Sequence, residues 1–154
     1  MLFRSTIRRL VMVRRLVGRS APGETRANLE PDRRKRTRMP DANTPVEALK
    51  TLVHEFAKER NWEPFHSPKN LVMAIASEVG ELVEPFRWLT EEESHRLVRD
   101  DAKLRLAVAD EMADVLNLLL QLSVHTGIDL SDALQDKVVR NAVKYPAPSS
   151  EGAG

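Results

Sequence analysis

Two apolar stretches with paired acidic residues decide the fold: residues 67–85, SPKNLVMAIASEVGELVEP, and residues 110–127, DEMADVLNLLLQLSVHTG. In the first stretch, Ser67 and Pro68 form a typical helix start. Apolar side chains then recur at helical spacing, at Leu71, Ile75, Val79 and Leu82. The second stretch is apolar on several sides and ends at a glycine, the residue typical of a helix C-terminus. Both stretches are therefore predicted to be helices.

On the N-terminal side of the first stretch, the sequence predicts one more helix. Thr44, Pro45 and Glu47 have the spacing of an N-cap, a proline in the first turn and a capping-box glutamate. Apolar residues follow on one face as far as Phe56. We expect this helix to end near Arg60.

Two further helical regions follow the first stretch. Thr90 and Glu93 form a second capping box, and the helical pattern then continues, with a break near Asp100, through the second stretch. Ser131 is the predicted N-cap of a last helix that Pro146 stops. No alternating strand pattern is present, so the sequence predicts an all-α subunit of the four-helix-bundle type.

Charge divides the chain into two parts. Residues 1–40 carry 12 basic and 3 acidic side chains, for a net charge of +9, whereas residues 41–154 carry 12 basic and 20 acidic ones, for a net charge of −8. The chain has no cysteine, which excludes disulfides and thiolate chemistry and fits a reducing compartment, so we expect a cytoplasmic protein. An acidic domain that handles an anionic substrate usually needs a bridging cation.

The basic segment 1–40 is predicted to be a disordered N-terminal extension or the product of a mis-assigned start, because Met39 stands directly before the first helix pattern. Its arginines also fit a targeting presequence, a membrane-surface helix or a nucleic-acid arm, but no apolar run is long enough to span a bilayer. Nucleic acid is an expected partner only if this arm is translated. The folded domain is expected over residues 41–147, followed by a disordered tail at 148–154.

Four carboxylates carry the predicted chemistry. Glu78 and Glu81 are three residues apart in the first stretch, and Glu111 and Asp114 are three apart in the second, so each pair shares one helical face. A single pair of this kind is usually a solvated helix face. Two pairs among apolar residues would repel one another, and a hard divalent cation with oxygen ligands relieves that repulsion. The histidines show no paired ligand spacing, which favours Mg²⁺ or Mn²⁺ over zinc.

These motifs together resemble those of the MazG-like all-α nucleotide pyrophosphohydrolases, and in particular the dCTP pyrophosphatase branch. The resemblance covers about two thirds of the chain and none of residues 1–40. It rests on the two acidic pairs, EVGE at 78–81 and EMAD at 111–114, and extends to FAKERNW at 56–62, FH at 65–66, NL at 70–71, FRW at 86–88, Lys137, Asn141 and KYP at 144–146.

The resemblance implies hydrolysis of a nucleoside triphosphate to the monophosphate and pyrophosphate, with dCTP or a modified pyrimidine nucleotide as substrate. It implies that Glu78, Glu81, Glu111 and Asp114 hold Mg²⁺, and that Glu78 or Glu81 also acts on the attacking water. The substrate-binding residues that it implies are Trp62, His66, Trp88, Lys137, Asn141, Lys144 and Tyr145. By spacing alone, the residues of the last helix fit an ordinary solvated face better than a binding site.

Two positions depart from the family pattern and leave the base undetermined. Val53 stands where related dCTP-cleaving enzymes tend to have a histidine, and His54 is turned about 100° around the helix from it. Leu118 stands where they tend to have a tyrosine. Pro85 is expected to kink or end its helix just before Trp88.

The apolar second stretch also predicts self-association. A helix that is apolar on several faces needs more than one neighbour, and the resemblance likewise implies a homodimer or homotetramer whose active site a second subunit can complete. The alternative function is a non-catalytic helical sensor or adaptor that binds nucleotide. The presence of all four carboxylates disfavours it, because a protein without turnover can lose one freely.

Overall fold

The computed structural model describes residues 38–147, and this part of the chain contains helices and no strand. The all-α prediction is confirmed. Within residues 38–147, five α-helices follow one another: α1 (Val46–Glu59), α2 (Pro68–Val83), α3 (Glu91–Asp100), α4 (Ala102–Thr126) and α5 (Leu130–Lys144). Short 3-10 turns occupy Asp41–Asn43, Glu63–Phe65 and Glu84–Phe86. The predicted extension and tail fall almost wholly outside the described residues.

Helix α4 is the centre of the fold. It packs along α2 most extensively and also against α1 and α3. The apolar core at these contacts consists of small and medium side chains: Ala57, Leu71, Ala74, Val108 and Leu120. Gln121, only 2% exposed, donates from Nε2 to the Val53 carbonyl at 2.5 Å and so ties α4 to α1.

Local capping explains where most helices begin and end. Ser67 caps α2 by accepting from the Asn70 N–H, with Pro68 in the first turn, as predicted. The Thr90–Glu93 capping box is present in full at the start of α3. Gly127 ends α4 with a left-handed φ of 69°, a conformation that costs glycine no Cβ clash.

Two capping predictions are wrong. Helix α1 begins at Val46, after an extended Pro45, and Thr44 makes no cap because its hydroxyl donates to the Pro40 carbonyl instead. Helix α5 is capped by Asp129, whose carboxylate accepts from two backbone N–H groups that include the one of Ser131, the predicted cap. At α1 the Pro40 carbonyl engages the hydroxyl of the predicted cap, and at α5 the Asp129 carboxylate takes the backbone N–H groups.

The predicted break near Asp100 separates α3 from α4. Asp101 is extended (φ −98°, ψ 105°), and its carboxylate accepts from the N–H groups of Lys103 and Leu104, so it caps a new helix. Helix α2 ends at Val83, and the following 3-10 turn contains Pro85, which agrees with the expected effect of that proline.

Helix α5 stands apart from the other helices. It packs extensively against no other helix in the described range, and every residue from 131 to 140 is exposed. None of the described helices is both long and apolar enough to cross a membrane.

Candidate active site

Three of the four predicted metal ligands come together across the α2–α4 contact. Glu78 and Glu81 lie one turn apart on α2, and Glu111 faces them from α4. One carboxylate oxygen from each residue lies within 4.8 Å of the other two. Glu78 and Glu111 are half-buried and Glu81 is exposed, so the group opens to solvent on one side.

Asp114 is not part of this group. It lies one turn further along α4, is half-buried, and is not among the residues whose ligand atoms all lie within 4.8 Å of one another. The i,i+3 spacing placed it correctly on the face of Glu111, but a shared face does not fix how far along the helix axis the partner carboxylates lie. Its role as a fourth ligand therefore stays a prediction.

The donor set of the three glutamates fits a hard divalent cation. Three carboxylates this close repel one another, and a cation with oxygen preference such as Mg²⁺ offsets that repulsion. No cysteine exists in the chain, and no histidine joins the group among the described residues. The chemistry of the site thus favours Mg²⁺ or Mn²⁺ over zinc.

Trp62 is positioned by the end of α1. Asn61 adopts a left-handed φ of 54°, which turns the chain so that the Trp62 N–H returns to the Ala57 carbonyl at 3.0 Å. The half-buried indole then packs edge-to-face against Phe56, with ring centroids 5.7 Å apart. The Arg60 guanidinium covers the Phe56 ring at 3.5 Å from its centroid. Trp62 therefore has packing partners within the chain.

Trp88 has a different environment. It is 85% exposed, and the described cation near its ring is the Arg87 guanidinium, 6.0 Å from the centroid. An indole this exposed contributes little to the core of a single chain, although it has a large apolar face to offer to a ligand or a second copy. The structure does not bring it into a closed pocket.

His66 is buried, with 6% of its surface exposed, at the end of the 3-10 turn that follows Trp62. Its ring packs edge-to-face against that of His125 on α4, with centroids 5.7 Å apart. Burial lowers the pKa of His66 below its ordinary value, and the neighbouring His125 lowers this pKa further. The sequence did not predict this meeting, because the two histidines are far apart in the chain.

The remaining four predicted substrate-binding residues lie on α5 or directly after it. Lys137, Lys144 and Tyr145 are exposed, and Asn141 is half-buried. The Lys144 ammonium lies 5.1 Å from the Tyr145 ring centroid, and the Tyr145 N–H donates to the Asn141 carbonyl. Because α5 stands off from α2 and α4, the single chain does not show these side chains gathered around the glutamates.

Comparison with known proteins identifies the family. Residues 73–153 match the MazG-like family, a range that includes the three glutamates, Asp114 and all of α5. The chain belongs to the MazG-like family. The resemblance found in the sequence is thereby confirmed, including its position near the dCTP pyrophosphatases.

Two curated relatives show how far this similarity extends. The MazG-like protein is 39% identical to mouse (Mus musculus) dCTP pyrophosphatase 1 over 107 residues, which is 70% of this chain and 62% of the relative. It is 40% identical to the human (Homo sapiens) dCTP pyrophosphatase 1 over 102 residues, or 66% of this chain and 59% of the relative. The match thus spans less than two thirds of the length of either relative.

A solved structure supports the fold. The crystal structure of a pyrophosphatase from Archaeoglobus fulgidus superposes with a TM-score of 0.62 at 32% sequence identity. The superposition covers 73% of this MazG-like chain and 100% of the archaeal one. The helical arrangement described above is therefore that of a known pyrophosphatase.

Proposed function

We propose that this MazG-like protein is a nucleoside triphosphate pyrophosphohydrolase that uses Mg²⁺, or Mn²⁺ in its place. The observation that carries the proposal is the convergence of Glu78, Glu81 and Glu111 within 4.8 Å across two helices. The proposed substrate is dCTP or a modified pyrimidine deoxynucleoside triphosphate, a choice supported by the dCTP pyrophosphatase 1 relatives. Such a reaction removes unwanted nucleotides from the cellular pool.

The carboxylates give the site its chemistry. A hard divalent cation, when bound, neutralises charge on the triphosphate and lowers the pKa of water at the site. Glu78, Glu81 and Glu111 would hold it, with Asp114, one turn from Glu111 on α4, as the proposed fourth ligand. Without a cation, these carboxylates would repel the triphosphate, because both are negatively charged.

The proposed reaction is attack by water on the α-phosphorus. The water oxygen forms a bond to phosphorus, the bond from phosphorus to the α,β-bridging oxygen breaks, and pyrophosphate leaves with that oxygen. Glu78 or Glu81 orients the water and accepts its proton. The products are the nucleoside monophosphate and pyrophosphate.

Binding of the substrate is divided between two regions. Trp62, His66 and Trp88 surround the base, for which the indole rings supply apolar faces. Lys137, Asn141 and Lys144 on α5, together with Tyr145 directly after it, contact the phosphates. The base-binding and the phosphate-binding residues can hold one substrate together only if α5, from the same or another chain, lies over the glutamates.

A second copy of the chain supplies that arrangement in our proposal. Helix α5 exposes apolar side chains along its length, and α1, α2 and α4 do so as well; the residues exposed by at least 40% include Leu52, Phe56, Val79, Val83, Met112, Leu116, Leu119, Leu134, Val138, Val139 and Val143. Large apolar side chains exposed in this number are typical of a protein that has an interface. A homodimer or homotetramer completes both the four-helix-bundle packing and the active site.

A pyrophosphate-release assay tests the proposed function. The full chain is incubated with each canonical and several modified deoxynucleoside triphosphates in the presence of Mg²⁺, and monophosphate and pyrophosphate are measured together. We expect dCTP or a modified pyrimidine nucleotide to give the highest kcat/KM, with both products in equal amounts. Nucleotide binding without turnover of any substrate would instead favour the sensor or adaptor.

A further inference from the structure

Three of the four histidines of the chain come from three separate elements and gather at one place. His54 lies on α1, His66 at the end of the 3-10 turn before α2, and His125 in the last turn of α4. The His125 ring lies between the other two, with its centroid 6.4 Å from that of His54 and 5.7 Å from that of His66. We refer to these three residues as the imidazole cluster.

The three rings of the imidazole cluster pack closely against one another. Both ring contacts are edge-to-face, at interplanar angles of 74° and 89°. The Nδ1 atoms of His54 and His66 and the Nε2 atom of His125 are inaccessible to solvent and have no hydrogen-bond partner among the described residues. A proton added at such a nitrogen would place a positive charge where neither water nor an acceptor stabilises it.

Among the described residues, Glu63 brings a carboxylate to the cluster. Glu63 Oε1 lies 3.8 Å from His54 Nε2, and both groups are partly exposed. Burial lowers the pKa of His66 most, His125 lowers it next, Glu63 raises it, and His54 lowers it again. One partly exposed carboxylate cannot compensate three imidazolium charges at these distances.

Several other charged groups near the cluster are paired. On α1, Lys50 and Lys58 lie one turn on either side of His54, and they pair with Glu47 at 2.9 Å and Glu55 at 3.9 Å. Beyond the end of α4, the Asp129 carboxylate accepts two backbone N–H groups as the cap of α5. On the α2 side, Asn70 contributes a neutral amide that donates to the Phe65 carbonyl.

We propose that the imidazole cluster is an acid-sensitive latch that holds the segment between α1 and α2 against α4 while its rings are neutral and releases it when they take up protons. The latch does not depend on the proposed function. Because the folded protein favours neutral His66, the stabilisation is fully present above the ordinary pKa of 6.5 and is lost as the pH falls below that value. The released segment includes Trp62.

Thermal unfolding of the full chain at about pH 7.5 and about pH 5.5 tests the latch. The informative variant is His125→Gln, which keeps a polar helix-forming side chain but cannot be protonated. The matched control is His95→Gln on the exposed surface of α3, outside the cluster. All three proteins retain the same carboxylates, so acid titration of those groups contributes equally to each.

When the pH is lowered from the higher to the lower value, we expect the Tm of every protein to fall. The fall should be roughly 5 °C larger for the wild type and for His95→Gln than for His125→Gln. In the wild type, amide hydrogen exchange of residues 60–67, corrected for intrinsic rate, should become about tenfold faster at the lower pH. An equal fall in Tm for all three proteins would overturn the proposal, as would unchanged exchange of this segment in the wild type.

A measurement on the wild type alone covers the case in which His125→Gln does not fold. The ring resonances of His66 are followed by NMR from neutral to acidic pH. The latch requires a midpoint below 6.5 and line broadening in the segment 60–67 as His66 titrates. A midpoint at or above 6.5 would overturn the proposal.

Discussion

Glu78 on α2 and Glu111 on α4 place carboxylate oxygens within 4.8 Å of each other across the most extensive helix contact in the fold. The two residues are 33 positions apart in the sequence. Their proximity is a property of the tertiary structure. The two carboxylates repel each other, and a bound cation would remove that repulsion.

The first prediction concerns this repulsion. Glu111→Gln or Glu78→Gln should leave the metal-free Tm unchanged or raise it, because one negative charge is removed from the group. Addition of Mg²⁺ should raise the Tm of the variant less than that of the wild type. Hydrolysis should be lost, and the same loss is expected for Asp114→Asn if Asp114 moves in as the fourth ligand.

Glu92→Gln is the matched control for these variants, since Glu92 is an exposed glutamate on α3 outside the group. It should keep the wild-type response to Mg²⁺ and full turnover. Turnover within tenfold of the wild type for Glu111→Gln would show that the glutamate group is not the metal site.

The second prediction concerns Trp88, which is 85% exposed. Trp88→Ala should lower kcat/KM for the preferred triphosphate about tenfold to a hundredfold, the loss expected when stacking worth roughly 1 to 3 kcal/mol disappears. Hydrolysis of inorganic triphosphate, which has no base, should hardly change. A uniform loss with both substrates would mean that Trp88 serves packing between subunits.

Trp62→Ala provides the comparison, because Trp62 packs against Phe56 within the chain. It should lower both the Tm and kcat/KM, whereas Trp88→Ala should leave the Tm of the isolated subunit almost unchanged. Measurement of thermal unfolding beside the kinetics separates the two roles.

The third prediction concerns the capping box of α3. Thr90→Ala removes the hydroxyl that accepts from the Glu93 N–H at 3.2 Å, and the loss of an N-cap of this kind costs about 1 kcal/mol. The Thr90 backbone and side chain both lower the pKa of Glu93, so the box stabilises the protein above pH 4.5 and fails as the pH falls through the lowered pKa.

Denaturant unfolding at neutral pH measures this loss. Thr51→Ala is the control, since the Thr51 hydroxyl donates to the Glu47 carbonyl within α1 and caps nothing. It should be neutral or slightly stabilising, because alanine is the better helix former. If Thr90→Ala were as stable as Thr51→Ala, the box would not anchor α3.

The fourth prediction concerns residues 1–38. A chain that begins at Met39 should retain full activity, because every residue assigned to the proposed site lies between Trp62 and Tyr145. Steady-state kinetics of the truncated and full chains, matched for helicity, check this. Loss of most activity in a folded truncation would place the basic segment in the functional protein.

Local sequence signals predicted the helices well wherever one residue had no competitor for its role. Ser67, Thr90 and Gly127 act as the sequence predicted, because no neighbouring residue takes over their capping roles. Ser131 was misjudged as a cap because the stronger acceptor Asp129 precedes it by two residues. The bounds of α5 were nevertheless predicted to within a few residues.

The site was predictable only within each helix. The i,i+3 spacing indicated which carboxylates share a face, but the offset between α2 and α4 comes from core packing, and it leaves Asp114 outside the group. The imidazole cluster gives no local signal at all, since His54, His66 and His125 meet only in the folded chain. The cytoplasmic location stays a prediction.

The position of the bond that breaks tests the central claim most directly. The protein is incubated with Mg²⁺ and dCTP in ¹⁸O-labelled water, and the products are weighed by mass spectrometry. Attack at the α-phosphorus predicts one label in the monophosphate and none in pyrophosphate, with Glu111→Gln yielding neither product. Label in pyrophosphate or in inorganic phosphate, or the same products from Glu111→Gln, would contradict the account.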